Sequence, residues 1–282
     1  MRSHTSMRQK TMNGLARTLL IFFALIVLYP LFWNIISSFK TSEEFLTNPF
    51  AMPSHLEWDN YTRALEKSNL LVNFKNTLIV EIAALVTMAL IVIPSAYCLS
   101  RFRFFGSKFL NGLYMSMIFI QTPCIMIPLF LAMKRLNLVN KLIPLGVLYA
   151  VGATPFSIFL LGGFMKSIPR DYEDAAMIDG ATWGHILVQV IVPLAKPGVV
   201  TVMMLAAMNN LSEYIVALVM LTDTSKYTVP VGITAMYEVQ RYATDWGALF
   251  AALVMILIPT ALIYAFGQRY LMQGVSVGGV KG

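Results

Sequence analysis

The chain has 282 residues, 57% of them hydrophobic and only 12% charged, with a mean hydropathy of +0.69. That composition excludes a soluble globular fate and marks an integral membrane protein. The net charge of +7 would suggest nucleic acid as a partner of a soluble chain, but here it sets orientation through Lys and Arg placement, so no nucleic acid is expected.

About 20 apolar residues cross the hydrocarbon core of a bilayer. Six stretches qualify: Thr18–Ser37, Leu78–Leu99, Leu110–Leu131, Leu142–Phe164, Val199–Leu221 and Gly247–Phe266. They are too long and too uniformly apolar for barrel strands, which alternate over about 10 residues. The expected fold is all-α, with six transmembrane helices.

The N-terminal tail, residues 1–17, carries Arg2, Arg8, Lys10 and Arg17 and no acid. It is expected to stay in the cytoplasm, and six spans return the C-terminal tail, 271–282, to the same side of a multi-pass cell-membrane protein. The first span is longer than a signal-peptide core and reads as a retained anchor. The transmembrane domain is therefore assigned to 18–270.

Between the first two spans, Phe39 to Lys75 forms an external loop with Pro49, Pro53 and a short amphipathic helix around Tyr61 to Leu70. The next connection, Arg101-Phe-Arg-Phe-Phe-Gly106, has the basic and aromatic character of a cytoplasmic turn at the headgroup level, anchored against anionic lipid. Lys134 to Lys141 is a brief external turn, and Thr222 to Trp246 an external connection with Pro230 and Gly232. Prolines fall inside five spans, at Pro30, Pro94, Pro123, Pro128, Pro155 and Pro259. Each frees a backbone carbonyl and bends its helix, which suits a transporter that rocks between conformations.

The fourth connection, 165–197, is the most informative. Pro169 opens a helix whose first turn holds Asp171, Glu173 and Asp174, matching the positive end of the helix dipole. Gly180 stops it, Thr182 can cap a second helix from Trp183 to Val190, and Pro193 ends that one. An inert hairpin resting on the membrane would favour Lys and Arg on its polar face; four acids point instead to a soluble partner.

Pro169-x-x-Tyr172-Glu173-Asp174-Ala-Ala-x-Ile-Asp179-Gly180-Ala181-Thr182, with Ile191-x-Pro193-Leu-x-x-Pro197, closely resembles the signature loop of inner-membrane permeases of ATP-binding-cassette importers. Trp58-x-Asn60-Tyr61, Ala96-Tyr97, Tyr227-Thr-Val-Pro230-Val-Gly232, Gln268-Arg-Tyr270 and the terminal Gly278-Gly-Val-Lys-Gly282 extend the likeness to the carbohydrate branch, in particular the smaller permease of maltose-type systems. The resemblance implies that this loop is a coupling helix seated in a cleft of the ATPase, with Glu173, Asp174, Ala175, Ala176, Asp179, Gly180 and Ala181 as contact residues. It implies as partners a second, homologous permease, an ATPase dimer and an extracytoplasmic solute-binding protein. Independently of the resemblance, small Ala side chains permit close approach, carboxylates can meet Arg or Lys, and Gly180 allows a sharp exit. Asp174 stands where the family usually has Glu.

In the fifth span Asn209, Ser212 and Glu213, spaced i, i+3 and i+4, are expected on one helical face. With Tyr214 and Phe250 they are candidates to line the translocation path by hydrogen bonding and stacking; the alternative is interhelical contact with a partner subunit. The usual family pattern has Trp-Asn before the acid, where this chain has Leu211-Ser212. Glu81 in the second span reads as a paired structural acid. An ion-coupled secondary transporter would have to rest on Glu81 and Glu213, and it leaves the acidic elbow without a use. Cys98 and Cys124 are expected as free, packed thiols. His4, His55 and His185 are scattered, so neither a metal site nor a triad is expected, and no cofactor or catalytic residue is assigned.

Overall fold

The computed structural model describes residues 7–120, 122–239 and 245–279. Among them there is no strand; helices follow one another as α1 (Met7–Ser37), α2 (Ser42–Thr47), α3 (Asp59–Ser68), α4 (Leu70–Arg101), α5 (Ser107–Met117), α6 (Met126–Arg135), α7 (Leu142–Ser167), α8 (Asp171–Ile178), α9 (Trp183–His185), α10 (Val192–Leu194), α11 (Lys196–Ser212), α12 (Ile215–Met220), α13 (Val229–Val239) and α14 (Trp246–Gly279). Four helical segments, Asn13–Ser37, Leu70–Arg101, Leu142–Ser167 and Trp246–Ala265, are single stretches long and apolar enough to cross a membrane; two bent pairs raise the number to six if each is one span. The fold is all-helical, as expected.

Several details differ from the sequence reading. The third expected span is α5 and α6 separated by a 3₁₀ turn, Thr122–Ile125, where Pro123 removes a donor from the helical ladder. The fifth breaks after Ser212. The fifth connection contains α13, with Pro230 in its first turn, where a missing N–H costs nothing. Helix α1 starts at Met7, ahead of Thr18, and α14 runs to Gly279, into the expected C-terminal tail. The end of that tail, like Arg2, lies outside the described residues.

The chain divides into two compact units, Met1–Ser68 with Ala235–Leu257 and Asn69–Thr234 with Ile258–Gly282. In the first, Thr41 and Glu44 form a capping box that starts α2, and Ser54 adds side-chain and backbone donors to the Glu44 carboxylate. Phe45 and Phe250 pack with Trp33 and Trp246. Asn60 donates to the Ser38 and Lys40 carbonyls at 2.8 Å each, and Arg63 pairs with Asp245 at 2.9 Å. Buried Lys40 donates to the Pro49 carbonyl at 2.7 Å; desolvation pulls its pKa below the usual lysine value, against a smaller pull from Glu44.

The second unit is built on α4 and α7. Val80, Ala84, Met88, Val92 and Ala96 are all essentially buried at a spacing of four, one continuous stripe of α4. Facing it are Leu145, Tyr149, Ala150, Ile158, Leu161 and Met165. Between membrane helices, where lipid is as apolar as leucine, close packing rather than hydrophobic exclusion gives the attraction, and small residues permit it. Gly146 shows the effect, since a Cβ there would sit 2.7 Å from Ala83 Cβ.

Candidate coupling elbow and intramembrane polar residues

Helix α8 begins with Asp171, Glu173 and Asp174 in its first turn and ends in a Schellman motif. The Gly180 N–H donates to the Met177 carbonyl and that of Ala181 to the Ala176 carbonyl, both at 3.0 Å, with Gly180 at φ +83°. That left-handed conformation is open to glycine at little cost. Thr182 takes the N-cap position of α9 in extended conformation, yet its side chain makes no capping bond. Pro193 does not end the second arm. Helix continues to Leu194 through a π segment, Ile186–Ile191, the looser winding that often absorbs a local fault in the hydrogen-bond ladder. The arm then bends by 79° into α11.

The elbow does not present all its acids alike. Asp171, Asp174, Ala175, Asp179 and Gly180 are exposed, and Ala176 and Ala181 are half-buried. Glu173 is only 5% exposed: its Oε1 lies 2.8 Å from Nε of Arg101, itself 8% exposed. Arg101 also donates to the Ile168 carbonyl at 2.8 Å, and Arg170 donates back to the Arg101 carbonyl at 3.1 Å. Arg101 thus turns inward instead of facing lipid headgroups as its sequence context suggested. A buried pair of this kind is costly to break, about 3–5 kcal/mol when one partner is removed. The second arm is tied to the same place: the Trp183 ring meets Phe102 edge-on at 4.9 Å and Phe102 meets Tyr97 at 5.6 Å.

The outward tip of α8 is more apolar than its acids suggest. Ile178 is 86% exposed, and Tyr172 and Met177 are exposed beside it. Beside the tip, a cavity of about 470 Å³ is lined by Ala176, Asp179, Gly180, Ala181, His185 and Gln189, among others. Neither the Arg101–Glu173 pair nor the Ile178 tip was assigned from sequence. The first needs two residues 72 positions apart to meet, whereas Met177-Ile178 beside a Gly stop was a readable sign of an apolar tip.

The fifth span does not keep its expected polar face. Helix α11 ends at Ser212 and Glu213 adopts an extended conformation, φ −72°, ψ 126°, so it no longer shares a helical face with Asn209 and Ser212. Its carboxylate instead accepts from the N–H groups of Val216 at 2.7 Å and Ala217 at 3.1 Å, capping α12, and from the Tyr149 hydroxyl at 2.7 Å. Asn209 and Ser212 are exposed and Tyr214 half-buried; the Ser212 hydroxyl is spent on the carbonyls of Met208 and Asn209. Glu81 is buried and bonded to Asn210. Phe250 belongs to the aromatic cluster of the first unit. Cys98 and Cys124 are free, and both are exposed in the isolated chain instead of packed.

A helical fold with 4–6 candidate membrane spans, interrupted by a glycine-stopped helical elbow, defines a multi-span membrane protein. The chain belongs to the family of inner membrane components of binding-protein-dependent transport systems, whose family model matches residues 14–277. It is 33% identical to the diacetylchitobiose uptake system permease protein NgcG of Streptomyces coelicolor, over 94% of this chain and 88% of that protein. To the galactooligosaccharides transport system permease protein GanQ of Bacillus subtilis it is 30% identical, covering 94% of each. Among solved structures, a chain of a bacterial ABC transporter involved in import of the acidic polysaccharide alginate superposes with a TM-score of 0.82 at 26% identity, covering 95% of this chain and 99% of that one.

Proposed function

We propose that this chain is one half of a two-permease pore importing a carbohydrate, a sugar, oligosaccharide or polyol, and that the elbow 165–197 couples it to a separate ATP-binding-cassette ATPase dimer. The carbohydrate reading rests on the relatives named above, and the pairing with a second, homologous permease on the family likeness. The coupling reading rests on one observation: a glycine-stopped helix that reaches away from its own core with Asp174, Ala175, Asp179 and Ile178 exposed. Carboxylates beside an apolar tip fit a groove that offers both Arg or Lys and an apolar floor. Glu173 contributes from beneath, by holding α8 in place. Both termini lie in the cytoplasm in this reading, with the Thr222 to Trp246 connection on the opposite side, towards the solute-binding protein.

Asn209, Ser212 and Tyr214 are assigned to the translocation path or the permease–permease contact, and Glu213 to shaping the break between α11 and α12. The test is uptake of a panel of labelled oligosaccharides and polyols by cells lacking this chain, with and without its restoration. The reading expects one carbohydrate class to need the chain and cellular ATP. Uptake driven by an ion gradient after ATP depletion would count against it.

A further inference from the structure

The coupling elbow and the 225–229 segment are held by opposite ends of one helix. At its C-terminal end, α4 receives both arms of the elbow: α8 through Arg101–Glu173 and through Arg170 on the Arg101 carbonyl, and the second arm through the Trp183–Phe102–Tyr97 edge contacts. Near its N-terminal end, Asn76 donates to the carbonyls of Ser225 at 2.9 Å and Tyr227 at 3.1 Å, and the Thr77 hydroxyl accepts from the Val229 N–H at 2.9 Å. Asn76 is buried. Thirty-two residues at 1.5 Å each give α4 a length of about 48 Å. Along its length α4 is packed on α7 by the Val80–Ala96 stripe, with buried Val92 and Ala96 on either side of the Pro94 bend, so the two helices can be displaced together.

We infer that α4 is the strut that carries displacement of the coupling elbow to the Ser225–Val229 segment, with Glu173 and Asn76 as positioning residues at its two ends. This rests on the coupling reading of the elbow and goes further, since it names the route by which the nucleotide state of the ATPase reaches the side facing the binding protein. By linkage the route runs both ways, so whatever seats on the 225–229 segment must bias the elbow equally.

The contacts suit that task. Interhelical hydrogen bonds to backbone carbonyls fix the register of a loop against a helix more strictly than apolar contact does. The buried Arg101–Glu173 pair cannot slide without leaving a charge unpaired in a low-dielectric site. Tyr97, whose hydroxyl is buried without a hydrogen-bond partner, lies one turn from Arg101 on the same helix.

The test uses the full chain purified with its ATPase, Cys98 and Cys124 changed to Ser, and a nitroxide on Thr224→Cys, an exposed position beside Ser225. Spectra are compared without nucleotide and with MgATP plus orthovanadate. The strut predicts a nucleotide-dependent spectral change in this parent that is lost in Glu173→Gln and in Asn76→Leu while the ATPase remains bound. Asn76→Leu keeps the test decisive because it leaves the elbow untouched. A change that persists in either variant, or a parent whose spectrum ignores nucleotide although the ATPase is bound, overturns the strut. Failure of the elbow reading shows separately, as retention of the ATPase by Gly180→Pro.

Discussion

At the scale of single residues, Gly180 and Glu44 show how local chemistry fixes the two loops. Gly180 sits at φ +83°, where an L side chain costs about 1–2 kcal/mol. Gly180→Ala should therefore lower the stability of the elbow by roughly that amount and leave the ATPase bound more weakly, as read by the fraction that copurifies. Glu44 accepts from Ser54 and from the Thr41 N–H, and these bonds, Ser54 first, hold its carboxyl below the ordinary value of 4.5. A depressed carboxylate pKa stabilises the fold above 4.5, and the contribution is lost as pH falls through the folded value. The melting-temperature deficit of Ser54→Ala in detergent should thus be full at neutral pH and shrink on acidification below 4.5; a deficit independent of pH would show that the Ser54 bond does not act through the Glu44 charge. Some of this was legible beforehand. Asp179-Gly180 marked a helix stop from sequence, and Thr41-Ser-Glu-Glu44 carries the capping-box spacing, although α2 was not read from it. Glu173 was assigned to the partner surface because an acid next to Asp174 looks equally exposed in a linear sequence; only the fold brings Arg101 beneath it.

At the scale of elements, two contacts decide how the helices meet. Gly146→Val would push side-chain atoms into Ala83 and the α4 backbone, and overpacking of this kind costs about 1–3 kcal/mol. Its effect should appear as a lowered melting temperature with the elbow sequence unchanged. Glu213→Ala removes the cap of α12, worth about 1 kcal/mol, and strands the Tyr149 hydroxyl; Glu213→Gln should restore part of the loss because an amide oxygen can still accept. Equal stability of Glu213→Ala and the parent would contradict the capping role. Long apolar runs made α1, α4, α7 and α14 readable, because a bilayer demands about 20 apolar residues whatever the tertiary context. Breaks were not readable in the same way. Hydropathy runs unbroken through Pro123 and is only softened at Glu213, so a scan for apolar length joins α5 to α6 and α11 to α12. The π segment before Pro193 likewise replaces the simple stop that a proline suggested.

At the scale of the whole molecule, the proposed function gives the chain a pathway and an elbow and leaves the energy to a partner. The family match and the alginate-importer superposition make the architecture secure, and the signature loop made it legible from sequence alone. The sugar is not legible in this chain: relatives at 33% and 30% identity are named for diacetylchitobiose and for galactooligosaccharides, and Asn209, Ser212 and Glu213 do not converge on one surface here. The central claim is that the Glu173–Gly180 elbow seats the ATPase. Its most direct test is purification of the chain from its native membrane in mild detergent, with mass spectrometry of everything retained, for the parent and for Gly180→Pro, which can adopt neither φ +83° nor the bond to Met177. The account predicts an ATP-binding subunit and a second permease with the parent, and loss of the ATPase alone with Gly180→Pro. A Gly180→Pro chain that keeps its ATPase and still transports would contradict it.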